Sequence, residues 1–337
     1  MTRYSGGTRL GRTVPLLSGA LIAAVLLASG CGSSESESDS GQVTVSATTG
    51  ILADITEQVA GPDAEVIQVI PDSSSPHEFA LSAQDRAKVE DSTLLVNNGA
   101  SLEAGIPIDE MDVPQWALAE HAGELLPFGG EEHEEGHEEG HEEGHEEGHE
   151  ADHEGEDEHE HGSSDPHVWM DPSRVAAALP SLADALAEAD PEHAAGYRRR
   201  AEAYARQLRA VDASVERSIA QLPPSERKLV TSHDALGYFA DRYGLEVVAT
   251  PFPASGPEAE ASAADIENVE SVIRRTGVPA VFAEETDDPE VLEQIADRTG
   301  VVVVSDLLVE APGEAGSYAE MLRRDAALIS GALAANP

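Results

Sequence analysis

The sequence predicts an α/β protein: two parallel-sheet lobes of (βα)4 type joined by one long rigid helix, with a ligand cleft between them. Three observations predict it. Short apolar runs bounded by turn residues, such as TLLVNNG (93–99) and VVVVSDLL (301–308), have the composition of strands buried on both faces. These runs alternate with amphipathic helical segments, the pattern of parallel sheets. A helical pattern of more than thirty residues, 191–223, separates two such alternating series.

In the first series VTVSATT (43–49) reads as a strand, ILADITEQVA (51–60) as a helix stopped by Gly61-Pro62, and AEVIQVI (64–70) as a second strand. The loop PDSSSPHEFALS (71–82) ends at Ser82, an N-cap for the helix of 82–91, and the strand of 93–99 follows. QWALAE, within 114–126, is a fourth strand. DPSRVAAALPSLADALAEA is a helix with Pro180 inside it, which predicts a kink or break. In 191–223 the apolar residues Tyr197, Ala201, Tyr204, Leu208, Val211, Val215 and Ile219 recur at three- and four-residue steps, giving one long helix. In the second series KLVTSH, LEVVAT, AVFAEET and VVVVSDLL are strands of one sheet. DALGYFADRYG, ADIENVESVIRRTG and DPEVLEQIADRTG are the helices between them, and SYAEMLRRDAALISGALAA closes the chain. The lobes are therefore placed at 42–130 with 162–190, and at 224–337.

The chain has 20 Lys+Arg against 65 Asp+Glu. Phosphate binding requires clustered cations, so nucleic acid is excluded as a partner and a cationic ligand fits better. Part of the charge lies in 131–161, which contains GHEEGHEEGHEEGHE (136–150). Recurrent glycine, adjacent like charges and the lack of apolar side chains keep that repeat from packing, so it is read as a disordered loop. Its histidines, His133, His137, His141, His145, His149, His153, His159 and His161, stand beside carboxylates, a donor mixture for weak divalent-metal binding. A solvated spacer is the alternative.

At the N-terminus Arg3, Arg9 and Arg12 accompany an apolar run of 14–29, followed by the sole cysteine, Cys31. This is the layout of an export signal (1–31), with Cys31 lipidated as the first mature residue and 32–41 a Ser/Glu/Gly tether. A plain secretory signal is the alternative. One cysteine leaves no disulfide, and no later apolar run is long enough to span a bilayer.

Outside the acidic loop five histidines remain: His77, His121, His167, His193 and His233. Three of them, in SSPHEFALS, DPHVWMDP and TSHDALGYF, fall in loops next to helix starts, where open parallel sheets place ligands. Each has an acidic or small polar neighbour that can orient its ring. Asp306, at the end of a strand, could add an oxygen to three nitrogens and complete a four-coordinate site suited to Zn²⁺. A cap or turn aspartate is its alternative. His121 and His193 read as structural.

These motifs resemble the solute-binding lipoproteins of zinc and manganese ABC importers, the cluster A-I family. The resemblance runs from about residue 43 to 335, with the acidic loop as a variable insertion. It is carried by Pro76-His77-Glu78-Phe79, by Asp165-Pro166-His167-Val168-Trp169-Met170-Asp171-Pro172, and by His233-Asp234-Ala235 through Tyr243-Gly244-Leu245. It implies His77, His167 and His233 as metal ligands, Asp306 as the fourth or a water or glutamate in its place, and Glu284 of VFAEE in an outer shell. It also implies an extracytoplasmic monomer, anchored to the membrane through Cys31, that passes its ion to an ABC permease and ATPase. Histidine at the third position and the His-rich insertion favour zinc over manganese, because imidazole suits zinc and carboxylate suits manganese. A manganese or iron receptor, and a surface adhesin or metal-buffering lipoprotein, are the alternatives. A hydrolytic zinc enzyme is disfavoured, since no HExxH motif and no recognisable Ser or Cys nucleophile arrangement occurs.

Overall fold

The computed structural model describes residues 42–128, 164–252, 261–284 and 290–334, and the chain from Gln42 onward forms one compact unit. The expected signal segment, Cys31, the tether and the acidic loop lie outside the described residues.

Strand β1 (Val43–Ala47) leads into helix α1 (Gly50–Ala60), whose start is fixed by Thr49, its side chain accepting from Leu52 N. β2 (Ala64–Gln68) is followed by a loop and by α2 (Ala83–Glu90), capped by Ser82 as expected. β3 (Leu94–Asn97), a turn-rich stretch, β4 (Gln115–Ala117) and the short α3 (Leu118–His121) complete this part. The four strands form one parallel sheet in the order β2-β1-β3-β4. All four residues of β3 are buried, as a strand covered on both faces requires.

Helix α4 (Pro172–Ala189) runs through Pro180 as one element, not two. Pro180 itself lies on the exposed side of the helix. Helix α5 (Ala194–Ile219) is shorter than the predicted 191–223, because Pro191–His193 form its leading turn and Ala220 its C-cap. Its 26 residues span about 39 Å at about 1.5 Å per residue. The predicted apolar stripe is its buried face, which packs on α1 and α4 and on the last helix of the chain.

Beyond α5 come β5 (Lys228–Val230), α6 (Gly237–Tyr243), β6 (Glu246–Ala249) and α7 (Ala263–Thr276). β7 (Ala280–Glu284), α8 (Glu290–Thr299), β8 (Val302–Leu307) and α9 (Tyr318–Ala334) follow. Instead of one continuous sheet these strands make two parallel pairs, β5-β6 and β7-β8. A bridge between Thr231 and Phe282 joins them, and Ser232 N donates to Phe282 O at 2.8 Å. β5 stops early because the chain turns inward there: the Thr231 hydroxyl donates to the His233 carbonyl at 2.8 Å.

Candidate metal centre

Four segments converge. The loop after β2 carries His77, and the DPHVWMDP segment carries His167 into α4, with Asp171 as the helix cap. The turn after β5 carries His233, and the loop after β8 carries Glu310. His77, His167 and His233 each offer a ring nitrogen within 4.8 Å of the others. His77 Nε2 and His167 Nε2 stand 3.3 Å apart. A tetrahedral zinc with Zn–N bonds of about 2.0–2.1 Å separates its nitrogens by about 3.3 Å. The pair is thus already at the spacing of two ligands on one ion.

Each of the two most buried rings has a carboxylate behind it. His167 Nδ1 lies 2.8 Å from Asp165 Oδ1, which also accepts the His167 backbone N–H at 2.9 Å. His233 Nδ1 lies 2.7 Å from Glu284 Oε1. A carboxylate at Nδ1 holds the proton there and leaves Nε2 as the metal-binding atom. Burial, followed by the charges of His167 and His233, pushes the His77 pKa down to about 3. Burial and the nearby His233 push His167 well below its ordinary value. Burial raises Asp165 to about 7, against the lowering effect of its backbone hydrogen bond. Burial thus keeps the His77 and His167 imidazoles neutral, the form that ligates.

The carboxylate that reaches this cluster is Glu310, not the expected Asp306. Glu310 Oε1 is 3.8 Å from His77 Nε2 and accepts the Ser75 hydroxyl at 3.2 Å. Asp306 is exposed on β8 and outside the cluster. Asp306 and its neighbour Ser305 are both exposed, where the β7-β8 register shifts before the buried Leu307. The path that brings Glu310 in depends on distant partners. Asp325 of α9, raised to about 8 mainly by burial, accepts Leu308 N at 3.2 Å, and Trp169 Nε1 donates to Val309 O at 2.7 Å. Only the burial of Glu310 between apolar stretches, LLVEAP, could have signalled it in the sequence.

Glu284, expected in an outer shell, lies against His233 Nδ1 and also forms a group with His233 and Glu310. A cavity of about 550 Å³ opens onto Glu284 and Glu310, with Asp72 and Glu314 also on its wall. The cavity wall nearest the centre is therefore acidic. His121 stacks on Trp116 (centroids 5.3 Å apart) and His193 pairs with Asp190 (2.6 Å), both away from the cluster as expected.

A buried group of three imidazoles and carboxylates in a parallel α/β frame defines a divalent-metal-binding protein. The family described as "Zinc-uptake complex component A periplasmic" (ZnuA) matches residues 45–332, and the chain belongs to this family of metal-binding ABC-transporter solute-binding proteins. It is 28% identical over 298 residues to the zinc-binding lipoprotein AdcA of Streptococcus pneumoniae, covering 86% of this chain and 54% of that protein. The chain thus spans about half the length of that relative. It is 26% identical over 302 residues to the manganese-binding lipoprotein MntA of Halalkalibacterium halodurans, covering 88% and 89% of the two chains. Among solved structures, the periplasmic zinc-binding protein TroA from Treponema pallidum superposes with a TM-score of 0.72 at 25% identity, covering 87% of this chain and 99% of that one. Names among the relatives span zinc, manganese and iron. Family members are substrate-binding proteins, not enzymes. No helix among the described residues is long and apolar enough to cross a membrane.

Proposed function

We propose that this protein is the extracytoplasmic receptor of a zinc importer, tethered through a lipid on Cys31, delivering Zn²⁺ to an ABC permease and its ATPase. His77, His167 and His233 hold the ion, Glu310 supplies the fourth donor, and Asp165 and Glu284 orient the rings. The observation that carries this reading is the 3.3 Å separation of two neutral, buried Nε2 atoms with a third imidazole beside them. The acidic loop serves as a low-affinity collector, raising the local ion concentration by tethering. Because α5 packs against helices from both ends of the chain, release proceeds by small shifts and loop rearrangement rather than wide opening.

Titrating zinc into the wild type and into His77→Ala, His167→Ala and His233→Ala tests the reading. Each substitution should remove the tight phase and spare any weak phase. A tight phase that survives all three refutes the centre. One observation favours a second reading, a manganese or iron receptor: Glu310 and Glu284 bring hard oxygen donors to the cluster. Metal competition followed by elemental analysis separates the two.

A further inference from the structure

The turn that follows β3 contacts no ion in the reading above, yet it touches both histidine-bearing segments of the first sheet. Gly99, Ala100 and Ser101 all adopt left-handed backbone, with φ of 77°, 50° and 62°. Residues with a side chain rarely hold that conformation unless the surroundings enforce it, and such strain gathers at functional sites. What enforces it here is Glu103, only 4% exposed. Its Oε1 accepts the Asn98 backbone N–H and the Thr48 hydroxyl, both at 2.7 Å, and its Oε2 accepts Gly99 N at 3.2 Å.

The turn then reaches outward twice. The fully buried Asn98 donates from Nδ2 to the Pro166 carbonyl at 2.8 Å, one residue before His167. Gly105 lies so close to the Phe79 carbonyl, two residues after His77, that a Cβ would collide with it. One carboxylate therefore sets the shape of a turn that abuts the His77 loop and the His167 loop together.

We propose that Glu103 is a positioning residue for metal capture: through the Asn98–Ile106 turn it fixes the separation of His77 and His167. This rests on the reading of those histidines as ligands. With the turn intact, the two imidazoles are held at ligand spacing before the ion arrives. With it loosened, the ion must order them itself, and affinity falls.

The test uses the full chain and three variants: Glu103→Gln, Asn98→Ala, which leaves the Glu103 carboxylate in place, and Leu333→Ala, a buried control on α9. Two quantities are read, the affinity of the tight zinc phase and the visible spectrum of the Co²⁺-loaded protein, which reports coordination geometry. Glu103→Gln and Asn98→Ala should weaken the tight phase by about tenfold or more, as loss of an orienting partner does, and should shift the Co²⁺ spectrum. Leu333→Ala should lower the melting temperature and leave affinity and spectrum alone. If Glu103→Gln does not fold, Asn98→Ala decides. Affinity and spectrum unchanged in a folded Asn98→Ala overturn the proposal. His167→Ala, run in parallel, keeps the two readings apart. If it loses the tight phase while Asn98→Ala does not, only the positioning role fails; if it does not lose it, the centre itself fails.

Discussion

His77 and His167 belong to the half of the molecule built on a continuous four-stranded sheet, whereas His233, Glu284 and Glu310 belong to two strand pairs joined at Thr231–Phe282. The first half contributes two nitrogens 3.3 Å apart, braced from behind by Asp165 and Asn98. The second contributes one nitrogen and the oxygens. Its Glu310 loop is held by single hydrogen bonds, one from Leu308 N to Asp325 and one from Trp169 to Val309 O. The difference separates two tasks. In the reading proposed above, the imidazole pair sets the metal geometry, and the opposite half closes the coordination shell and decides how hard a cation it accepts.

The largest expected effect comes from breaking the imidazole side. His167→Ala should weaken tight zinc binding by well over about a hundredfold, beyond the range for loss of an outer partner, as read by chelator competition. Asp165→Asn should cost about ten- to a hundredfold in the same assay, because a neutral amide orients the His167 ring less strongly. If the two variants behave alike, Asp165 is as necessary as the ligand it supports, and the division between ligand and brace fails.

Acid sharpens the comparison. The folded pKa of His77 lies near 3 and that of His167 lies well below normal, while free imidazole titrates near about 6.5. Between these values His77 and His167 do not protonate, so these two rings cost the ion no proton competition. Asp165 titrates near 7, and the bound ion favours its ionised form as acceptor for His167 Nδ1–H. Below about pH 7, tight-phase affinity should therefore fall by about tenfold per pH unit, the slope of one displaced proton. A slope near three would mean that His77 and His167 protonate along with Asp165, against the burial argument.

The smallest effect is assigned to the other side. Glu310→Gln should reduce manganese binding more than zinc binding, since the lost donor is the hard one. Zinc affinity should change by about tenfold or less, within the outer-partner range. An equal loss for both metals would remove Glu310 from metal choice.

Much of this arrangement could be read from the chain, and the reasons are physical. The three histidines stand in motif-bearing segments between a strand end and a helix start, so local sequence marked their place. The seven apolar residues of α5 were legible because helical period alone decides their face. The direction of Asp306 was not legible because the β7-β8 register shifts just before Leu307, and a one-residue change of register reverses the face a side chain takes. Glu310 and Asn98 were not legible, since both act through partners far along the chain, Ser75 and Pro166. The split of the second sheet was hidden for a similar reason: the run KLVTSH is strand-like throughout, and only the inward turn at His233 shortens it.

Crystals of the protein loaded with one equivalent of zinc, measured at the zinc absorption edge, address the shared coordination directly. The account predicts the strongest anomalous peak within about 2.0–2.1 Å of a ring nitrogen from each of His77, His167 and His233. A peak bonded to fewer than two of these rings, or placed elsewhere in the chain, would contradict it.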